Sequence, residues 1–258
     1  MGDEAKRWWE MHGRSYQETC QIPIDVLYGT GSPNEEELQL IGPVSGQRVL
    51  ELGCGGAQCS IAFAKQGATV IAVDIAASEI EFAKELAGRN KVAIEFHQRD
   101  VADLAPIASS SQNIVFSAFA FNYVDDLLSS FKEVYRVLKD GGIFVWSVGH
   151  PFAHSIDSET LRLNRSYFET GKSVVGEETG CAFASVHRTV SDYCNLLVEA
   201  GFLVEQMIEP DSRRRYPYDP WFGLWGNTQE RLRMFPATLI FKGKKLSCDL
   251  HHTDSKDN

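Results

Sequence analysis

Gln47 to Ala64 reads QRVLELGCGGAQCSIAFA. Val49, Leu50 and Leu52 form a short apolar run broken by one acid, Glu51. Gly53, Gly55 and Gly56 follow, and Ile61, Phe63 and Ala64 then recur at helical spacing. The stretch predicts a strand, a tight glycine turn and a helix start. Glycines in such a turn allow positive φ and let a ligand approach without meeting a Cβ, so a cofactor can lie across the carboxyl end of the strand.

Two cofactor classes use a turn of this kind. The dinucleotide fingerprint requires G-x-G-x-x-G, and Gln58 stands where its third glycine belongs. A nicotinamide dehydrogenase is therefore the weaker reading. The order E-x-G-x-G, formed by Glu51, Gly53 and Gly55, resembles motif I of the class I S-adenosylmethionine (SAM) dependent methyltransferases, in their small-molecule, UbiE-like branch. The resemblance runs on through ATVIAVD ending in Asp74, Val92 to His97 followed by Asp100-Val101, Ile114 to Phe119, KDGGIFVWSVGHP and HRTVSDYCNLLVEAGF. It implies a Rossmann-like, seven-stranded, mostly parallel sheet in the order 3-2-1-4-5-7-6, with helices on both faces.

It also implies site residues. Glu51, Gly53, Gly55 and Gly56 would line the SAM site, with Asp74, about twenty residues past the first glycine, on the ribose hydroxyls and Ile75 beside it. Asp100 and Val101 would hold the adenine, Ser117 and Phe119 the methionine end, and Tyr16 and Tyr28 would reach SAM or acceptor from an N-terminal helical cover, residues 1 to 44. The product cofactor would be S-adenosylhomocysteine (SAH).

Composition narrows the partners. The chain has 258 residues and a formal net charge of −10, the wrong sign for a surface that neutralises many phosphates. A nucleic-acid substrate is not expected. Six cysteines show neither C-x-x-C pairs nor metal-ligand spacing, so free thiols in a reducing cytoplasm are expected and no metal site. The N-terminal MGDEAKRWWEMHGRSY has no apolar core region and no run approaches the ~20 residues of a membrane span. A cytoplasmic protein with no membrane partner is expected, its oligomeric state open.

Along the chain, Asn34 reads as a helix cap before three glutamates, and Glu79, Glu81 and Glu85 as the wet side of a helix after Asp74. Asn122 reads first as the cap of the next helix and second, with Tyr123, as a residue at the acceptor. Gly141-Gly142 reads as the left-handed end of that helix. Strand five then delivers His150 and Phe152 to the edge where open α/β sheets bind ligands, which makes His150 a candidate base alongside a purely shaping role.

Residues 153 to 186 lose periodicity and are expected to form a lid of short antiparallel strands. His187, closing it, is a second candidate base. Thr189 or Ser191 should cap the helix that follows. The ring-rich loop around Tyr216 and Trp221 should cover the acceptor. The methyltransferase domain is placed at residues 45 to 243 and a polar, structureless tail from Lys244 to Asn258. The function expected is methyl transfer to O or N of a small, largely apolar, aromatic or terpenoid metabolite, as in secondary metabolism. The alternative is a non-catalytic SAM-binding or regulatory protein of the same fold.

Overall fold

The computed structural model describes residues 2–175, 183–211, 219–224 and 227–247. Its strands, in chain order, are β1 (Arg48–Leu52), β2 (Thr69–Asp74), β3 (Ile94–Gln98), β4 (Gln112–Ala118), β5 (Leu138–Gly149), β6 (Gly171–Val175), β7 (Phe183–His187), β8 (Phe202–Ile208) and β9 (Thr238–Lys245). The helices are α1 (Asp3–Cys20), α2 (Glu35–Leu38), α3 (Gln58–Lys65), α4 (Ala77–Asn90), α5 (Leu127–Val137), α6 (Val190–Glu199) and α7 (Gln229–Met234).

Seven strands form one sheet in the order β3-β2-β1-β4-β5-β9-β8. The first five are parallel, and β9 runs antiparallel between β5 and β8. With β6 and β7 paired apart as a hairpin, this is the 3-2-1-4-5-7-6 sheet that the sequence resemblance implied.

The apolar strands are buried on both faces, as parallel strands crossed by helices must be. Leu50, Leu52, Phe144 and Trp146 join a core with Phe131 and Val134 of α5 and Tyr193 and Leu197 of α6. Val49, Phe116, Val145 and Ile240 point to the other face and pack with Phe63 of α3 and with Tyr28. The caps follow local chemistry. Asn34 accepts from the Glu37 amide, and Thr189 forms a capping box with Asp192.

Four expectations are revised. The helix before strand five ends at Val137 without a left-handed glycine: Leu138 is already extended, and Gly141 (φ 76°) and Gly142 sit in an irregularity inside β5. A Cβ on Gly142 would lie 2.8 Å from the Lys139 carbonyl oxygen, so the glycine serves a bend in the strand. Asn122 is no helix cap; α5 begins at Leu127 under Asp126, whose carboxylate accepts from the Ser129 amide. Lys244 and Lys245 are not tail. They complete β9, and the Lys245 ammonium, tucked over the Tyr135 ring, donates to the Tyr135 and Leu138 carbonyls. Last, Glu79 is 2% exposed rather than wet.

α1 explains the burial of Glu79. It crosses α4 with Gly13 at the contact, where a Cβ would come within 2.5 Å of Glu79 Oε1. Glu10 of α1 accepts from the amides of Ala77 and Ser78 at 2.8 and 3.1 Å, capping α4 with a carboxylate borrowed from another helix. An acid there satisfies orphan amides and meets the positive end of the helix dipole. Arg14 reaches Glu85 at 3.1 Å, and Glu4 pairs with Lys172 of the β6–β7 hairpin at 2.8 Å. Trp8 packs edge-on against Phe183 of that hairpin.

Glu10→Ala should lower stability by about 0.5 to 2 kcal/mol, the range for a lost helix cap, read as a shift in the urea midpoint. The loss should come with faster amide exchange in residues 3–20.

Candidate active site

The carboxyl ends of β1, β2, β4 and β5 open onto one cavity of about 410 Å³. Its floor is the glycine turn. Gly53 (φ 64°) and Gly55 (φ 49°) are left-handed, and a Cβ on Gly53 would lie 2.2 Å from the Ala120 Cβ. Asp74 at the end of β2 holds this turn open. Its carboxylate accepts from the Gly55 amide at 2.9 Å and the Ala76 amide at 3.0 Å.

Glu51, Asp74 and Glu79 give the cavity an acidic part of its lining. Glu51, the acid inside β1, accepts from the amide and hydroxyl of Ser60, so a strand residue caps α3. Burial raises its pKa to about 7. Glu79 takes a hydrogen bond from Gln17 of α1 at 3.0 Å, and Gln17 in turn accepts from Gln58 of α3 at 2.8 Å. Burial first, and the neighbouring Asp74 second, push Glu79 up to about 8. Burial also raises Asp74, against the pull of its amide donors.

The same cavity is lined by aromatic rings. Trp9, Tyr16, Phe119, Tyr123, Phe183 and Trp221 all face the cavity. Trp9 meets Tyr16 and Tyr123 edge-on, Tyr123 meets Phe183, and Trp221 stacks over Phe119 at 6.4 Å. The Trp221 indole donates to the Tyr16 hydroxyl at 2.6 Å, which fastens the loop before α7 to the N-terminal helix. Phe119 is left-handed (φ 62°), and its ring lies where a Cβ on Gly29 would be, 1.8 Å away. A left-handed non-glycine residue is uncommon and concentrates at functional sites.

Of the residues singled out from the sequence, Tyr16, Glu51, Gly53, Gly55, Asp74, Ile75, Phe119, Asn122, Tyr123, His150 and Trp221 line this cavity. The others lie elsewhere. Gly56 sits under the Gln17–Gln58 pair. Tyr28 is core, edge-on to Phe116 with its hydroxyl on Glu35. Asp100 accepts from the Ala102 amide, and Val101 is in the core. The Ser117 hydroxyl donates to the Leu52 carbonyl at 2.9 Å and binds β4 to β1. Phe152 is on the outer surface beside Tyr167 and Phe235. Tyr216 lies outside the described residues.

Both candidate bases are changed by their surroundings. His150 reaches the sheet edge, but Nδ1 accepts from the Phe152 amide at 3.2 Å and Nε2 meets Glu209 at 2.8 Å. Both nitrogens are committed. His187 is buried, is absent from the cavity wall, and bonds through Nε2 to the Tyr167 carbonyl at 2.8 Å. A second imidazole on the cavity wall, with no hydrogen bond to its ring nitrogens among the described residues, is His154, on the single turn Pro151–Ser155. Trp9, Gln17, Glu79, His154, Phe183 and Arg231 were not singled out for the site from sequence. Only the H-P-x-x-H spacing at 150–154 hinted at one of them.

Three comparisons bear on this geometry. Residues 50–146 match the family model of a methyltransferase domain. An uncharacterized protein of Haemophilus influenzae is 25% identical over 90% of this chain and 93% of its own length. A ubiquinone biosynthesis O-methyltransferase of Ruegeria pomeroyi is 24% identical over 86% and 85%. The crystal structure of a Listeria monocytogenes protein assigned as a SAM-dependent methyltransferase superposes with a TM-score of 0.66. It is 25% identical, and the match covers 83% of this chain and 97% of that one.

The buried acids set a pH dependence. Carboxyls with raised folded pKa bind more protons folded than unfolded, so stability is greatest below the ordinary range near 4.3 and falls as pH rises toward 8. Glu79→Gln should therefore raise the melting temperature at pH 9, by roughly 2–4 °C for each kcal/mol recovered, and change it little at pH 5. A scan of melting temperature against pH for both proteins checks this.

Proposed function

We propose that this chain, a member of the class I SAM-dependent methyltransferases, transfers the methyl group to an oxygen or nitrogen of a small, largely apolar metabolite. The observation that carries the acceptor class is the aromatic lining of the cavity, continuous with the glycine turn. Six rings in one cavity suit a flat or branched apolar body better than a sugar or a polar peptide. The relative named as a ubiquinone biosynthesis O-methyltransferase favours oxygen.

The acidic residues of the lining fit the cofactor. A cation gains from Asp74, Glu79 and Glu51, which burial otherwise holds toward their neutral forms. The turn at Gly53 and Gly55 leaves its backbone open to a ligand. Asp74 would take the ribose hydroxyls with lone pairs its two amide donors leave over, and Ile75 would lie against the base. Bound there, SAM supplies an electrophilic methyl group on a sulfonium.

What the chain adds is alignment and exclusion of water. Holding two reactants in attack geometry is worth roughly 7–11 kcal/mol. Trp221 on Tyr16, Trp8 on Phe183 and Lys172 on Glu4 join segments far apart in sequence, and Tyr16, Phe183 and Trp221 of these line the cavity.

Two variants separate the two parts of the lining. Asp74→Asn removes charge-assisted hydrogen bonds worth roughly 1.5–3 kcal/mol and should weaken SAM at least tenfold by calorimetry. Trp221→Ala should raise the acceptor KM severalfold and leave SAM affinity nearly unaltered. The acceptor for that assay comes from mass spectrometry of a cell extract incubated with enzyme and SAM, searched for products one methylene heavier. Failure of such products to form in any extract, with SAM bound, would count against the acceptor class.

A further inference from the structure

His154 is distinguished by what surrounds its free edge. Its ring is exposed and lines the cavity. The side of Gly149 on which a Cβ would project is ringed by three groups. His154 Nε2 is 3.1 Å from that point, Asn122 Nδ2 3.4 Å and Phe119 Cε1 3.7 Å. Gly149 ends β5, and Phe119 and Asn122 follow β4, so this niche lies at the carboxyl edge between two central strands. Asn122 is 6% exposed, and its Oδ1 has no hydrogen-bond partner. An imidazole nitrogen and a primary amide thus converge beside Gly149, where any side chain would crowd both.

We propose that this niche receives the nucleophilic oxygen of the acceptor, a hydroxyl on an apolar body, with His154 as the catalytic residue that takes its proton and Asn122 as the group that orients it. The proposal rests on the methyltransferase reading above and narrows it from oxygen or nitrogen to oxygen. The acceptor oxygen gains the methyl carbon and gives its proton to His154 Nε2. The electron pair of the broken carbon–sulfur bond stays on sulfur, leaving a neutral thioether, and the imidazolium returns its proton to solvent.

An alcohol or phenol needs such a proton acceptor because it carries its proton into the transfer. The environment keeps His154 in the accepting form. Desolvation by the surrounding protein, followed by His187 of β7, Arg231 of α7, Arg165 of the lid and His150 after β5, lowers its pKa below the ordinary imidazole range. His150 cannot substitute, since the Phe152 amide and Glu209 occupy its nitrogens.

The test uses the full chain and SAM carrying a deuterated methyl group, incubated with extract, with tandem mass spectrometry locating the label on oxygen or nitrogen. Labelled methyl ethers are expected. His154→Ala should slow their formation by roughly 10²- to 10⁴-fold, and Gly149→Ala, whose Cβ would crowd His154 Nε2 and Asn122 Nδ2, should also slow it. SAH affinity by calorimetry should stay within a few-fold in both, and lost SAH binding in the parent protein would instead sink the methyltransferase reading. Label on nitrogen, or an unchanged rate in His154→Ala, overturns the proposal. Independently of turnover, ¹⁵N-histidine NMR of the SAH complex at about pH 7 should show a neutral imidazole that is absent from His154→Ala. An imidazole already protonated at that pH overturns the proposal as well, since it has no site to take the proton.

Discussion

One carboxylate joins the parts on which the site depends. Asp74 closes β2, and its two oxygens accept from Gly55 in the turn after β1 and from Ala76 at the start of α4. The neighbouring Cys54 amide bonds to the Val73 carbonyl at 3.0 Å. Two strand ends, one glycine turn and one helix start are thereby fixed to each other around a single charge. A buried carboxylate is tolerated when amide donors compensate its lost hydration. At Asp74 the amide donors offset only part of that loss, since burial still raises its pKa, and the carboxylate lines the cavity.

The rest of the acidic lining is less well compensated. Glu79 has one donor, Gln17, and its Oε1 is buried without a partner against α1. An anion in that position is costly, which is why its pKa rises to about 8. A cation beside it would reverse the balance. Stability of the empty protein and affinity for a cationic ligand are therefore set against each other by the same group, a trade common at binding sites.

The aromatic lining is an assembly of distant segments. Trp9 and Tyr16 come from α1, Phe119 and Tyr123 from the end of β4, Phe183 from the hairpin and Trp221 from the loop before α7. Each ring buries part of its area against another, and the polar handles of Trp221 and Tyr16 satisfy one another. None of the four segments could make this wall alone. The main sheet supplies the edge on which they meet.

The sequence by itself determined the sheet, the turn and the key acid. Apolar runs of strand length, the E-x-G-x-G turn and Asp74 at the next strand end are local patterns, and local patterns are what periodicity and glycine placement encode. The caps at Asn34 and Thr189 were legible for the same reason. The tertiary structure decided everything that depends on one segment lying over another. Glu79 has the helical spacing of a solvated residue, and only Gly13 of α1 crossing it makes it buried. His150 and His154 share a turn, a residue type and a cavity, but Glu209, which is 53% exposed at its side chain and comes from just after β8, and the Phe152 amide occupy the nitrogens of the first. Tyr28, Asp100 and Ser117 stand where the resemblance put them in sequence, yet their side chains meet the core or nearby backbone. Which neighbour a side chain meets across the fold is set by packing among residues tens to hundreds apart, and no window along the chain contains both partners.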